Sequence, residues 1–223
     1  IGKGSEFMLL NYSEFVIQHT FSMLFYLIGS SRYYDEYVKS GAYSKSPIFT
    51  DVSRPFFELK GKKWGIIGLG SIGSGVAKIA STFGADVSYY STSGKNFSKE
   101  YSMLELDELI KNSDIISVHA PLNATTNNLL DYEQLLTCKD GAIVLNLGRG
   151  GIINEKAIAK IVDEKDIYFG LDVLTKEPML EDHPILNVKN KDKIYVTPHI
   201  AWTSIEARDR LVASIIENIS SQK

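Results

Sequence analysis

One cysteine, Cys138, stands among 223 residues. That excludes an internal disulfide framework and a cysteine-built metal site, and it fits a reducing compartment. Charge of one sign is lacking as well. The formal net charge is -3, which gives no electrostatic ground for nucleic acid or an anionic membrane as partner. Long apolar runs are missing too. The most apolar stretch, Phe15 to Ile28, is too short to span a bilayer and carries Gln18 and His19. No secretory leader is recognisable, and there is neither an internal repeat nor a low-complexity segment. No metal site is expected. What remains is an ordinary globular composition, 44% hydrophobic and 23% charged, long enough for a substantial core and suited to the cytoplasm.

What is there is organised around one stretch, Trp64-Gly65-Ile66-Ile67-Gly68-Leu69-Gly70-Ser71-Ile72-Gly73. A short apolar run, expected as a buried strand, leads into G-x-G-x-x-G at Gly68, Gly70 and Gly73 and then into the helical pattern of Val76 to Ala80. Strand, glycine turn and helix in that order make a dinucleotide site. The first glycine allows the tight turn, the second lets a pyrophosphate approach the backbone, and the third lets the helix pack on the strand. The phosphates then lie on the free N–H groups at the start of the helix. Glycine turns also serve only as turns, so the motif's weight comes from its flanks.

Residues 1–7, Ile-Gly-Lys-Gly-Ser-Glu-Phe, have the look of a cloning scar, which makes Met8 the expected natural start. From Ser13, a candidate N-cap, to about Ser40 the pattern is helical, with Gly41 placed to terminate it. Apolar residues including Val16, Ile17, Phe21, Leu24, Phe25 and Ile28 cover more than one face. A helix of that kind is either an ordinary buried helix or one packed between a domain and a partner subunit. Tyr43 to Lys60, with Pro47 and Pro55, reads as an irregular arm.

Beyond the glycine turn the pattern alternates. Strands are expected at Asp86–Tyr90, Asp114–Val118, Ala142–Leu147, Tyr168–Val173 and Ile194–Thr197. Helices are expected at Met103–Lys111, Tyr132–Leu136 and Glu155–Asp163, and a last one runs from Trp202 to Ser220, starting near Ser204. This is the pattern of an α/β fold, a doubly wound parallel sheet covered on both faces. It divides the chain into a helix and arm at 8–60, a dinucleotide-binding domain at 61–201 and a closing helix at 202–223.

Three polar groups stand just after apolar strands: Arg149, Glu177 and His199. Ligands of open parallel sheets bind at the carboxyl ends of the strands, so the three can converge near the glycine turn. Arg can hold a carboxylate bidentately, His can give a carbonyl oxygen its proton, and Glu can orient the imidazole and favour its charged form. Such a trio suits reduction of a 2-oxo acid. Singly, each also has a plainer role as turn residue, helix-start acid or loop histidine.

The sequence resembles the D-isomer-specific 2-hydroxyacid dehydrogenases, in particular their glycerate dehydrogenase / hydroxypyruvate reductase-like members. The blocks that carry the resemblance are Gln18-His19-Thr20-Phe21, Leu59 to Gly70, His119-Ala120-Pro121-Leu122, Asn146 to Gly151, Leu171-Asp172-Val173, Glu177-Pro178 and Thr197 to Ala201. The resemblance implies a Rossmann-type NAD-binding domain with an N-terminal helical arm that joins two subunits in a homodimer. It implies that Arg149 binds the substrate, that His199 is the proton donor and acceptor, and that Glu177 is its paired acid. Ser71 and Ile72 are implied at the pyrophosphate, the loop of His119 and Pro121 at the adenosine end, and Leu147 and Gly148 along the cofactor. Asp172 is implied beside the nicotinamide carboxamide.

Two departures stand out. Where the family has an acid about 20 residues past the turn for the ribose hydroxyls, this chain has Ser91 followed by Thr92-Ser93-Gly94-Lys95. NAD is the expected cofactor, and NADP is open because no carboxylate repels its 2′-phosphate. Family members also carry, ahead of the matching region, most of a second, substrate-binding domain. Two readings follow: a dehydrogenase of small 2-hydroxy acids or its cofactor-binding domain, and a catalytically silent, dimer-forming dinucleotide-binding module. Among the remaining residues, His19 is expected to serve packing or an interface, His183 to be solvated and Cys138 to be a small packing residue.

Overall fold

The computed structural model describes residues 13–220. Residues 1–7 lie outside them, as does any cap preceding Ser13. Two helices come first, α1 (Ser13–Ile28) and α2 (Ser31–Lys39). The long helix expected to reach Ser40 is therefore broken. Ser30 takes a left-handed backbone at φ 46°, a conformation that costs a non-glycine residue roughly 1–3 kcal/mol and ends the helical ladder. Gly41, at φ 78°, follows the second helix as expected.

The seven strands that follow are β1 (Lys63–Ile67), β2 (Asp86–Tyr90), β3 (Ser102–Met103), β4 (Ile115–Val118), β5 (Ala142–Asn146), β6 (Ile167–Leu171) and β7 (Ile194–Val196). Between and after them run α3 (Ser71–Thr82), α4 (Leu106–Asn112), α5 (Tyr132–Thr137), α6 (Glu155–Glu164) and α7 (Ile205–Ser220). All strand pairs are parallel, in the order β3-β2-β1-β4-β5-β6-β7. This is the doubly wound architecture that the alternating pattern implies. Several ends shift by a residue or two, as for β6, expected at Tyr168–Val173. One difference is of kind: Met103, expected to open a helix, belongs to the short edge strand β3, and the helix begins at Leu106.

The central strands are buried on both faces, which is why they read as continuous apolar runs. Buried residues of α1 and α3 pack with Trp64, Ile66 and Leu145 on one face, and those of α4, α5 and α6 pack with Ile116, Val144 and Phe169 on the other. Val16, Phe21, Met23, Leu24 and Leu27 of α1 are all in the core. Each is worth about 1.5–3 kcal/mol when fully buried, so α1 is a wall of the domain. Phe21 in particular packs against Trp64 with the rings tilted at 55° and 5.3 Å between their centres. The surface role falls instead to α2, which buries no residue, and to the arm, where Phe49 and Val52 are 90% and 80% exposed.

Trp64 is completely buried and its indole N–H donates to the Ser117 hydroxyl on the neighbouring strand at 2.9 Å. Trp64→Phe strips the bond and strands a buried hydroxyl, at an expected cost of about 1–3 kcal/mol beyond the lost packing. Adding Ser117→Ala should recover part of that cost. Urea unfolding of the two single variants and the double variant measures the coupling.

Candidate active site

The strand order reverses between β1 and β4, and the crevice outside the carboxyl ends at such a point is where open α/β sheets bind ligands. Gly68 turns the chain there at φ 94°. A side chain on Gly73 would overlap the Gly68 carbonyl, whereas one on Gly70 would meet nothing within 4 Å. The first and third glycines thus close the helix onto the strand, and the second leaves open space at the start of α3. Ser71 and Ile72 form the first turn of that helix, where unpaired N–H groups and the dipole favour an anion.

The strands on either side of β1 end in polar groups without protein partners. The Ser91 hydroxyl after β2 and both ring nitrogens of His119 after β4 are buried and have no hydrogen-bond partner among the described residues. Burial lowers the His119 imidazole to about 3, so the ring is neutral. Buried orphans of this kind call for a ligand or water. They fit the adenosine side of a dinucleotide, as does the neighbouring Pro121 loop, held by the Thr126 hydroxyl donating to the Pro121 carbonyl at 2.7 Å. Beyond Ser91, Lys95 and Lys78 line a recess of about 490 Å³ with Leu69 and Ser74.

On the other side of the crevice the loops after β5, β6 and β7 lie in register, Asn146 opposite Leu171 and Leu171 opposite Val196. Leu147 and Gly148 are buried, and Gly148 packs against the Ala120 backbone. Gly150 lies so close to the Leu174 carbonyl that any side chain would overlap it. This contact ties the loop of Arg149 to the loop that carries Glu177. The Leu174 N–H donates to Glu177 Oε1 at 2.8 Å, and Glu177 Oε2 accepts from His199 Nδ1 at 2.6 Å. The expected acid–imidazole pair is therefore present. With Nδ1 engaged by the carboxylate, Nε2 is the nitrogen left for a substrate. Arg149 is exposed, and its Nη1 donates to the Gly148 carbonyl at 2.8 Å.

Several residues do more than their sequence positions suggest. Asn146 donates to the Arg149 carbonyl at 2.9 Å and accepts from the Gly148 N–H at 3.1 Å, setting the turn that presents the arginine. The only sign of it in the sequence is a polar residue ending an apolar strand. His183 is not solvated as expected. It is buried and bonded to Glu155 at 2.9 Å, and Glu155 also accepts from the Thr175 hydroxyl at 2.8 Å, so the pair braces the loop of Glu177. Asp172, implied beside the nicotinamide carboxamide, has its contacts within the protein. Its carboxylate accepts from the Thr197 hydroxyl at 2.6 Å and from the N–H groups of Ile200 and Ala201 at 2.9 and 3.0 Å. It is the anchor of the histidine loop. A larger cleft, about 730 Å³, lies between the end of α1, α2, the arm and strand β7, and none of these site residues lines it.

Residues 21–201 match the model of the D-isomer specific 2-hydroxyacid dehydrogenase NAD binding domain. The chain belongs to that family. A hydroxypyruvate reductase of Blautia hydrogenotrophica is 35% identical across 84% of this chain and 58% of its own length. A D-lactate dehydrogenase from Aquifex aeolicus, solved with NAD and lactic acid, superposes with a TM-score of 0.84 at 28% identity, over 94% of this chain and 66% of that one. An acyclic imino acid reductase (Bsp5), solved with NADPH and D-Arg, gives a TM-score of 0.82 at 34% identity, over 95% and 66%. The chain thus spans about three fifths of the curated dehydrogenase's length, and the NAD-binding domain is the part it contains.

In this dehydrogenase domain Asp172 titrates abnormally. Burial opposes its ionisation, but hydrogen bonds from His19, Thr197, Ala201 and Ile200 outweigh that and hold the carboxyl below the usual range. A folded value below the unfolded one stabilises the fold fully above about pH 4, and the effect drains away as pH falls through the folded value. Asp172→Asn should cost about 1.5–3 kcal/mol at pH 7. The gap between variant and parent should narrow below about pH 4, as urea unfolding at stepped pH would show.

Proposed function

We propose that this chain supplies the cofactor-binding and proton-transfer side of a site that moves hydride between NAD(H) and a small D-2-hydroxy acid or its 2-oxo form. The observation that carries the reading is the 2.6 Å bond between His199 Nδ1 and Glu177 Oε2, at the same carboxyl-end edge of the sheet as the glycine turn. When bound, NADH supplies the hydride. His199 Nε2–H faces the carbonyl oxygen and gives it a proton as charge develops there, and Glu177 fixes the ring through Nδ1. Arg149 holds the substrate carboxylate. Gly68, Gly70, Ser71, Ile72 and Gly73 hold the pyrophosphate, Ser91, His119 and Pro121 the adenosine end, and Leu147, Gly148 and Asp172 the nicotinamide side.

A second reading, a dinucleotide-binding module without turnover of its own, is favoured by the exposure of Arg149 and of the His199 side chain, 38% exposed. Positioning two reactants can supply on the order of 7–11 kcal/mol of a barrier, and an open face supplies little of it. Titration of NADH fluorescence is expected to show binding by the parent chain and by His199→Ala alike. Reduction of glyoxylate or hydroxypyruvate by the parent should be slight, and what there is should fall about 10²–10⁴-fold in His199→Ala. In the same titration Ser91→Asp should raise the preference for NADH over NADPH. Absence of NADH binding would sink the reading, and undiminished turnover in His199→Ala would assign another proton donor.

The arm gives the quaternary proposal. Tyr33 and Tyr34 of α2 hold the arm through Asp51 and the Arg54 carbonyl, at 3.1 and 3.2 Å, while Ile48, Phe49, Val52 and Phe56 face solvent. A second copy of the chain is the partner that covers them, giving a homodimer built on α2 and the arm. Light scattering at micromolar concentration should give twice the mass of one chain, and Phe49→Asp with Val52→Asp should halve it. A parent monomer would refute the dimer. A cytoplasmic location accords with the one cysteine, whose buried thiol is pushed up to about 12. No helix among the described residues is long and apolar enough to cross a membrane.

A further inference from the structure

His19 lies on α1, far in sequence from the histidine loop, yet its ring is buried against that loop. It is 6% exposed and stacks on Phe15 at 6.0 Å. Its Nε2 lies 3.1 Å from the Thr197 hydroxyl oxygen and 3.5 Å from Asp172 Oδ1. The Thr197 hydroxyl proton is already spent on Asp172 Oδ1 at 2.6 Å. The hydroxyl can then only accept from His19, which fixes the tautomer: Nε2 carries the hydrogen and donates. Both neighbours of that hydrogen are acceptors.

The segment this bond reaches is under strain. His199 has φ 53°, a left-handed backbone that costs a residue with a side chain roughly 1–3 kcal/mol unless its surroundings hold it. The holding is done by Asp172. Its carbonyl accepts from the His199 N–H at 2.9 Å, and its carboxylate takes Thr197 on one side of His199 and Ile200 and Ala201 on the other. The carboxylate thus ties down the residues on both sides of the strained histidine, whose own N–H goes to the Asp172 and Thr197 carbonyls and whose ring goes to Glu177. His19 is the side chain that braces that carboxylate from α1.

We infer that His19 is a positioning residue for the proton donor: its Nε2–H, shared between Thr197 and Asp172, sets the height of the 197–201 loop and with it the place of the His199 imidazole. This rests on the reading of His199 as proton donor, but the geometry is testable without turnover. Hydrogen exchange and imidazole ¹⁵N resonances of the intact chain are to be measured in the parent, in His19→Phe and in His19→Gln, whose amide N–H can replace the lost donor. His19→Phe should speed exchange of the His199, Ile200 and Ala201 amides about tenfold, leave the β5 amides Ile143 and Val144 unchanged, and shift the His199 ring nitrogens. His19→Gln should restore most of both signals. Should His19→Phe fail to fold, Thr197→Val, which removes the His19 contact together with the Thr197–Asp172 bond, must raise exchange at the same amides by at least as much, with Thr197→Ser as its rescue. Unmoved His199 resonances, or exchange that rises equally throughout the sheet, would reduce His19 to a packing residue and overturn the inference. Undiminished turnover in His199→Ala would instead overturn the proton-donor reading and leave the loop measurements standing.

Discussion

The absence of side chains at Gly68 and Gly73 is the constraint from which the cofactor crevice follows. A Cβ on Gly73 would collide with the Gly68 carbonyl, so α3 could not start where it does, directly above the end of β1. That start point sets the line of N–H groups offered to a pyrophosphate. It also fixes how closely the β4 loop can approach, since Gly68 packs on the backbone of His119 and Ala120, and Gly148 packs on Ala120 in turn. A succession of backbone contacts of this kind runs along the carboxyl ends of the strands. Arg149, Glu177 and His199 stand above it on short, braced loops.

The bracing is unevenly distributed. Asn146 sets the turn before Arg149, the pair of His183 and Glu155 supports the loop of Glu177, and Asp172 gathers the loop of His199. None of these residues is exposed. Charge and polarity beneath the site are thus spent on geometry, as a preorganised site requires. The groups left without partners among the described residues, Ser91 and His119, lie at the other side of the crevice, after β2 and β4.

Much of this was legible in the sequence because it depends on local pattern. Strands β4 and β5, buried along their whole length, announce themselves as continuous apolar runs, and the glycine spacing announces the turn. Arg149, Glu177 and His199 could be picked out because each follows a strand. What could not be read depends on distant partners or on unusual backbone. Nothing in Gly29-Ser30 signals a left-handed serine that splits one helix into two. Strand β3 has two residues and no periodicity to detect. His183 sits in a polar run, and only the fold brings Glu155 to it across 28 positions. The anchoring role of Asp172 is hidden in the same way, since its partners Thr197, Ile200 and Ala201 lie 25 to 29 positions further on.

The all-parallel order of the sheet has a consequence for how the molecule comes into being. Parallel neighbours need a crossover between them, so no pair of adjacent strands can form as a hairpin, and such topologies fold slowly. The nucleotide turn is built from β1 and α3, early in the chain and adjacent in sequence. His199 follows β7, a strand of three residues that pairs with β6 alone. During synthesis from the amino end, the glycine turn therefore emerges long before His199, and the two ends of the crevice come together only once β6 and β7 have joined the sheet.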